Sequence, residues 1–391
     1  MTKRTRRSLF VSAGLLAAAT AADAAATRVA YIDSFATARG NAFTATADNP
    51  SAVFYNSAAL VDQEGTRIHA NLFTFSAQYE YDGPASEDVD DAPQPIPSFF
   101  VAHRLENQPA AIGFGAYAPF GLGVDWGEDS VFNTFGLPYD AELAYIKYHA
   151  VIAFEISETF SVGLGASFDD GDVSLSSSGP LGSFEGDDQT VGLSLSALWR
   201  PNARHSFGLN YQHHTELDFE GRQTDLILPG PTITSSDATA SLTFPESIVF
   251  GYSWRPTGKW NFEFNLDWTN WDRVDNLQIT NDFEVAPLPL DWKSAFIWQL
   301  GGTRYFDNGW QLSAGYTFVE NAIPDENFLP VVPDSDRHLF AIGTGYTGEH
   351  LYWQATYQFS YDDGRKVDGP LPGGTYDLES QALSLSLGYR F

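Results

Sequence analysis

Cysteine is absent from this sequence, and methionine occurs once, at position 1. The first absence excludes disulfide scaffolds, thiolate-ligated zinc or iron–sulfur sites and thiol enzymes. Cations are scarce as well, with 21 Lys and Arg against 50 Asp and Glu for a net charge of −29. A chain so acidic has no basic surface from which phosphate counterions can be released, which argues against nucleic acid as a partner. Long apolar runs are missing too: beyond the first 26 residues no stretch reaches 18 consecutive apolar residues, so no membrane helix is expected. What the sequence does hold is 43% hydrophobic residues, 15% aromatics and 34 glycines. That apolar content excludes disorder, and 391 residues suit either two or three soluble domains or one large β structure.

The first 26 residues stand apart. Lys3, Arg4, Arg6 and Arg7 precede a short apolar stretch, Leu9 to Ala22, and the small residues around Ala22 to Ala26 suit cleavage, so residues 1–26 read as an export signal. The rest alternates with period two. Trp260, Phe262, Phe264, Leu266 and Trp268 interleave with Asn261, Glu263, Asn265, Asp267 and Thr269. The pattern repeats from Val191 to Trp199, from Trp310 to Phe318, from Leu351 to Phe359 and from Leu383 to Phe391. A soluble sandwich also alternates, but its inner face favours Val, Ile and Leu. One apolar, aromatic-rich face opposite a Ser-, Gly- and Asn-rich one is the signature of a transmembrane barrel with a polar lumen.

Short turns near Asn107, Glu158, Asn202, Thr257, Asn308 and Gly348 alternate with long polar or Pro-rich connections at 82–95, 123–139, 170–182, 223–234, 280–291, 321–333 and 362–379. Thirteen connections of two alternating kinds predict an all-β fold, a 14-stranded antiparallel transmembrane β-barrel over residues 66–391. Residues 27–65 do not fit the barrel: they are rich in Ala, Thr, Asn and Ser, with apolar patches at Phe43 and at Val53 to Tyr55. A barrel of this size leaves a lumen to fill, and this segment reads as its plug.

Several ordered pieces then carry a resemblance. They are Ala38-Arg39-Gly40-Asn41-Ala42, Asp48 to Leu60, Tyr117-Ala118-Pro119-Phe120-Gly121-Leu122-Gly123, Phe244-Pro245-Glu246-Ser247, Gly251 to Pro256, Asp267-Trp268-Thr269-Asn270-Trp271, Pro333 to His338 and the terminal Gly388-Tyr389-Arg390-Phe391. Together the chain resembles the FadL/TodX family of outer-membrane transporters for long-chain fatty acids and other hydrophobic compounds. The resemblance implies a monomeric barrel closed by an N-terminal hatch whose Asn-Pro-Ala motif falls on Asn56, Ser57 and Ala58, with Ser57 where the family has Pro. It also implies a kinked third strand that opens the wall sideways. Gly113, Gly115, Pro119 and Gly121, which weaken strand pairing, are the candidates for that lateral gate.

The apolar density of the third connection, Phe120, Leu122, Trp126, Phe132, Phe135 and Leu137, suggests a ligand-capture groove, the alternative being a loop that packs its own small core. Arg39, Arg104, Lys147 and Arg337 are candidates to meet a ligand carboxylate or, more simply, lumen acids. His149, His213 and His214 raise the thought of a barrel hydrolase, but no Gly-x-Ser-x-Gly elbow is present. Acidic runs at 87–91, 169–172 and 187–188 read as solvated surface, lacking the spacing of a calcium loop. The expectation is a passive, multi-pass outer-membrane transporter, not an enzyme. It has a hydrophobic small molecule as ligand, outer-membrane lipid and lipopolysaccharide as surroundings, and no catalytic residue, cofactor or metal. The alternative is a general porin.

Overall fold

The computed structural model describes residues 26–90, 93–179, 181–226, 233–281, 287–368 and 373–391. The predicted export signal therefore lies outside the described residues, apart from Ala26. Fourteen strands follow in chain order: β1 Thr66–Asp82, β2 in two pieces Ser86–Asp90 and Gln94–Arg104, β3 Ala110–Asp125, β4 Asp140–Ser157, β5 Phe160–Ser176, β6 Ser183–Asn202 and β7 His205–Gln212 with Thr215–Leu226. They continue as β8 Ile233–Phe244 with Ser247–Thr257, β9 Trp260–Thr269 with Asn276–Thr280, β10 Leu288–Pro289 with Ala295–Tyr305, β11 Trp310–Val319, β12 Arg337–Thr347, β13 Leu351–Asp362 and β14 Gly374–Arg390. Each pairs antiparallel with its chain neighbours, and β14 returns to β1 from Arg67↔Arg390 to Asp82↔Thr375, closing the barrel. All six predicted short turns lie at one end and the long connections at the other.

The strands reach further outward than the expected loops allowed. Asp170 and Asp172 remain in the ladder of β5, and Ser86–Asp90 folds back on β1 from Gln78↔Asp90 to Asp82↔Ser86. The alternation holds throughout. Val191, Leu193 and Leu195, like Leu383, Leu385 and Leu387, are exposed, while Asn261, Glu263, Asn265 and Asp267 are buried inside. Exposed apolar side chains in this number have no partner in water, whereas hydrocarbon suits them. Aromatics gather toward both ends of the apolar band, Trp199 on Phe207 and Trp310 on Trp353 near the short turns, Tyr148 on Phe168 and Phe296 on Trp298 nearer the long connections. Those are the depths where amphipathic rings settle.

Inside the barrel the N-terminal segment is almost wholly buried. It forms two short helices, α1 Ser34–Thr37 and α2 Ala52–Tyr55, and a 3-10 turn Ser57–Asp62. Asp33 caps α1 by accepting from the Phe35 N–H. The same carboxylate meets His69 of β1 at 3.1 Å, Ser386 of β14 at 2.8 Å and Asn49 at 2.6 Å. Wall side chains satisfy the segment's backbone: Ser206 donates to the Ala45 carbonyl, Asn210 to Phe54, Thr317 to Gly40, and Glu263 accepts from the Ala45 N–H. This explains why the inward face is polar without being wet, since irregular backbone at membrane depth must find its hydrogen bonds in protein. Gly315 shows how close the approach is, because a methyl group there would overlap the Gly40 backbone nitrogen.

Candidate ligand pathway

The wall is not equally paired all round. β2 and β3 share rungs only from Phe99↔Ala116 to Arg104↔Ala111. Above Ala116 the next strand partner of β2 remains β1, reached from Phe75↔Gln94 downward. On its other side β3 pairs with β4 up to Asp125↔Asp140, with an irregularity between Tyr117 and Phe120 that holds Ala118 and Pro119. Pro119 has no N–H to give a ladder. The free edge of β3 is taken instead by the N-terminal segment, Val29 donating to the Pro119 carbonyl and Gly121 to the Thr27 carbonyl, both at 2.8 Å. Behind this seam stand Tyr31 stacked on Phe73 and Phe100 stacked on Tyr117.

The predicted gate residues divide between these regions. Pro119 and Gly121 lie on the unpaired edge. Gly113 and Gly115 lie below it, where an added Cβ would meet Val53 and Leu60 at the first and Phe100 at the second. Asn56, Ser57 and Ala58 sit low in the barrel: Asn56 donates to the Thr44 carbonyl at 2.8 Å, and Ser57 and the Ala58 N–H meet the Ser196 hydroxyl. Ser57 opens the 3-10 turn.

The capture residues also separate. Phe120 and Leu122 belong to β3, not to the connection after it, which corrects the expected boundary. The strand survives its Gly and Pro residues because β4 pairs with it on one side and the N-terminal segment on the other. Trp126 and Phe132 turn inward, edge to face at 4.8 Å, against Tyr79, Tyr81 and Tyr376, and the Trp126 indole donates to the Pro330 carbonyl at 3.0 Å. Phe135 and Leu137 are half-buried.

Of the six, Leu122 lines an apolar cavity of about 100 Å³ in the outer half of the barrel. Its wall includes Leu143, Phe219, Leu242, Ile279, Trp292 and Val331. Next to it Phe120 packs on Tyr145 and Phe244, and Trp271 on Trp292. Sequence reasoning missed most of this lining. Leu288, Leu290, Leu329 and Val331 fall within connections read as polar or Pro-rich, and their period-two spacing was the signal available.

Buried cations around the cavity have acidic partners. Arg28 meets Asp267 at 2.6 Å, Lys147 meets Asp169 at 3.1 Å and Arg337 meets Asp334 at 3.2 Å. Arg104 pairs with Glu155 at the other end. Arg39 is held differently, its guanidinium over Phe43 and donating to the Tyr305 hydroxyl. His149 bridges the hydroxyls of Tyr117 and Ser194, both at 2.8 Å, within the buried inner face of the wall.

A sequence profile described as outer membrane protein transport protein (OMPP1/FadL/TodX) matches residues 15–361. The chain belongs to this family. FadL/TodX proteins reside in the outer membrane, which is where the barrel's apolar band is placed. A long-chain fatty acid transport protein of Escherichia coli K12 is 25% identical over 232 residues, 56% of this chain and 51% of that protein. The chain thus spans about half the length of the curated relatives it matches. Among solved structures, a Pseudomonas aeruginosa FadL homologue superposes with a TM-score of 0.83 at 18% identity, covering 94% of this chain and 100% of that one. The Pseudomonas putida toluene transporter TodX follows at 0.74 and 14%, over 94% and 100%. Both share the fold of this FadL/TodX barrel.

Proposed function

We propose that this chain carries hydrophobic small molecules passively across the outer membrane, and that residues 27–65 act as its hatch. The observation that supports this most is an apolar cavity standing beside a wall seam, in a barrel whose lumen the N-terminal segment occupies. An apolar molecule gains roughly 0.8 kcal/mol per methylene on leaving water, so a dry cavity draws it in where an aqueous pore does not. A general porin needs an open aqueous lumen, and the N-terminal segment occupies that space. Relatives of similar build are named for long-chain fatty acids and for toluene, two ligands that share apolar bulk.

In this reading ligand enters over the outward end, settles against Leu122 and its neighbours, and leaves through the seam between β2 and the Pro119–Gly121 edge of β3 once the Thr27–Val29 arm moves aside. Phe120, Trp126, Phe132, Phe135 and Leu137 shape the approach. Gly113 and Gly115 let the hatch pack tightly below. A disulfide placed across the seam, between Gln94–Ser98 and Ala118–Gly121, tests the route in a chain with no competing thiol. Oxidation is expected to abolish transfer of a fluorescent hydrophobic probe from proteoliposome exterior to bilayer while probe binding persists. Unchanged transfer would replace the sideways exit by passage down the lumen past Asn56 to Ala58.

A further inference from the structure

Transport of hydrophobic molecules leaves two ligand chemistries open, an uncharged hydrocarbon or a fatty-acid carboxylate. Resting on the transport reading, we infer that this barrel selects compact uncharged hydrocarbons, on the scale of a single aromatic ring, and discriminates against carboxylates of equal apolar size.

Charge supplies the first argument. Among the described residues no Lys, Arg or His lines the cavity. Its polar members are Thr27, Ser174 and Glu142, the last of which is itself anionic and exposed. A carboxylate brought into such a place loses its hydration with no opposite charge in return. The buried cations on neighbouring rungs are already committed, and the exposed Arg222, which lines the adjoining outer pocket, donates to Ser235 and shares that pocket with Glu142, Asp172, Glu185, Asp187 and Glu220. Arg28, next to Thr27, meets Asp267 and also donates to Thr269 at 2.8 Å. Descending the wall from the cavity rung Leu143↔Val173, the next inward rungs are Tyr145↔Gly171 and then Lys147↔Asp169. Lys147 is bound there to a carboxylate that also accepts from Tyr145 at 2.6 Å.

Asp267, Asp169 and Asp334 are each buried, at 2%, 0% and 2% exposure. Diverting Arg28, Lys147 or Arg337 to a ligand would strand one of them without a counterion, a costly exchange. Arg39 lies lower, pressed between Phe43 and the wall at Gly301 and Gly315. On the outer face of the same wall Asp172, Asp187 and Glu220 stand in register across three strands, adding a field that repels anions.

Size supplies the second argument. The cavity measures about 100 Å³, while a dry protein cavity of about 150 Å³ lined by Leu, Ile and Phe takes up benzene. A ring-sized molecule needs little rearrangement, whereas an extended alkyl chain would have to run on into the adjoining pocket of about 410 Å³, whose lining carries five carboxylates and one cation, Arg222.

The test is a matched pair, propylbenzene and 3-phenylpropanoate, titrated calorimetrically into the purified full-length protein in a non-ionic detergent at neutral pH. The uncharged member is expected to bind at least tenfold more tightly. Leu242→Lys, which sets an uncompensated cation in the lining, and Asp169→Asn, which frees Lys147, are each expected to strengthen carboxylate binding several-fold without strengthening that of propylbenzene. Equal or tighter binding of 3-phenylpropanoate by the unaltered protein would overturn the selectivity and leave the transport reading standing. Binding of neither ligand, with the barrel folded, would overturn both.

Discussion

Two stretches of the same wall meet the N-terminal segment in opposite ways. Along β10 and β11 the ladder is continuous from Ile297↔Val319 to Tyr305↔Gln311, and the segment lies flat on it over Gly301 and Gly315. Along β2 and β3 the ladder stops at Phe99↔Ala116, and the segment takes the place of the missing strand, hydrogen-bonding the Pro119 and Gly121 backbone itself. The first contact is seating and the second is substitution. A hatch seated on an intact wall can be stable without being able to open anything. A hatch that supplies a wall's missing hydrogen bonds couples its own displacement to the integrity of the wall.

The largest expected effect breaks both contacts at once. Removing residues 27–65 should leave a folded, heat-modifiable barrel whose conductance in planar bilayers rises many-fold, because the buried inward row Asn261, Glu263, Asn265 and Asp267 would then line water. Conductance equal to that of the intact chain would show that the segment does not close the lumen.

A smaller change tests seating alone. Gly315→Val drives a side chain into the Gly40 backbone, and overpacking of this kind costs roughly 1–3 kcal/mol. The expected result is flickering conductance and faster proteolysis within residues 27–65, with the barrel's own melting little changed. Gly258→Val, at a turn where an added Cβ meets nothing within 4 Å, is the control that should do neither.

The smallest effect concerns the outer extensions, far from either contact. Asp172 faces Asp187 across the β5–β6 ladder. Partial desolvation, then the charges of Asp170 and Asp187, push its carboxyl above the usual value. A carboxyl raised in the folded state favours folding most when protonated, and that contribution is lost as pH climbs from the ordinary carboxylate range through the raised value. Like charges placed opposite one another on a sheet cost roughly 0.2–1 kcal/mol. Hydrogen-exchange protection of the two strand ends, corrected for intrinsic rates, should therefore increase modestly on acidification through that window, and Asp172→Asn should flatten the response.

The lipid-facing surface was readable from sequence because it is periodic: Leu383 to Phe391 or Trp260 to Trp268 declare their outward face every second residue, and short turns count the strands. The cavity was not, because Leu122, Phe219, Leu242 and Val331 come from separate strands and a distant connection, each unremarkable within its own stretch. Phe120 and Leu122 were counted with the third connection, just ahead of its expected start at Gly123. Pro119, Gly121 and Gly123 interrupt the strand pattern, and only tertiary pairing with β4 and with Thr27 to Val29 carries the strand through to Asp125. The inward polar residues were legible as a face but not as hydrogen-bond partners of a particular segment. Period two says which way a side chain points and nothing about what waits there.

The Thr27–Val29 arm has one more consequence. A strand edge left bare against hydrocarbon is forbidden by the cost of its unsatisfied N–H and carbonyl groups, so a membrane barrel cannot keep a permanent gap in its wall unless something caps the exposed edge. Here the chain caps it with its own Thr27–Val29 segment, much as a tethered inhibitor holds an enzyme. Cutting the arm alone should therefore breach the wall: the Pro119 carbonyl and the Gly121 N–H would lose their partners, and cargo would leak sideways without waiting for any displacement.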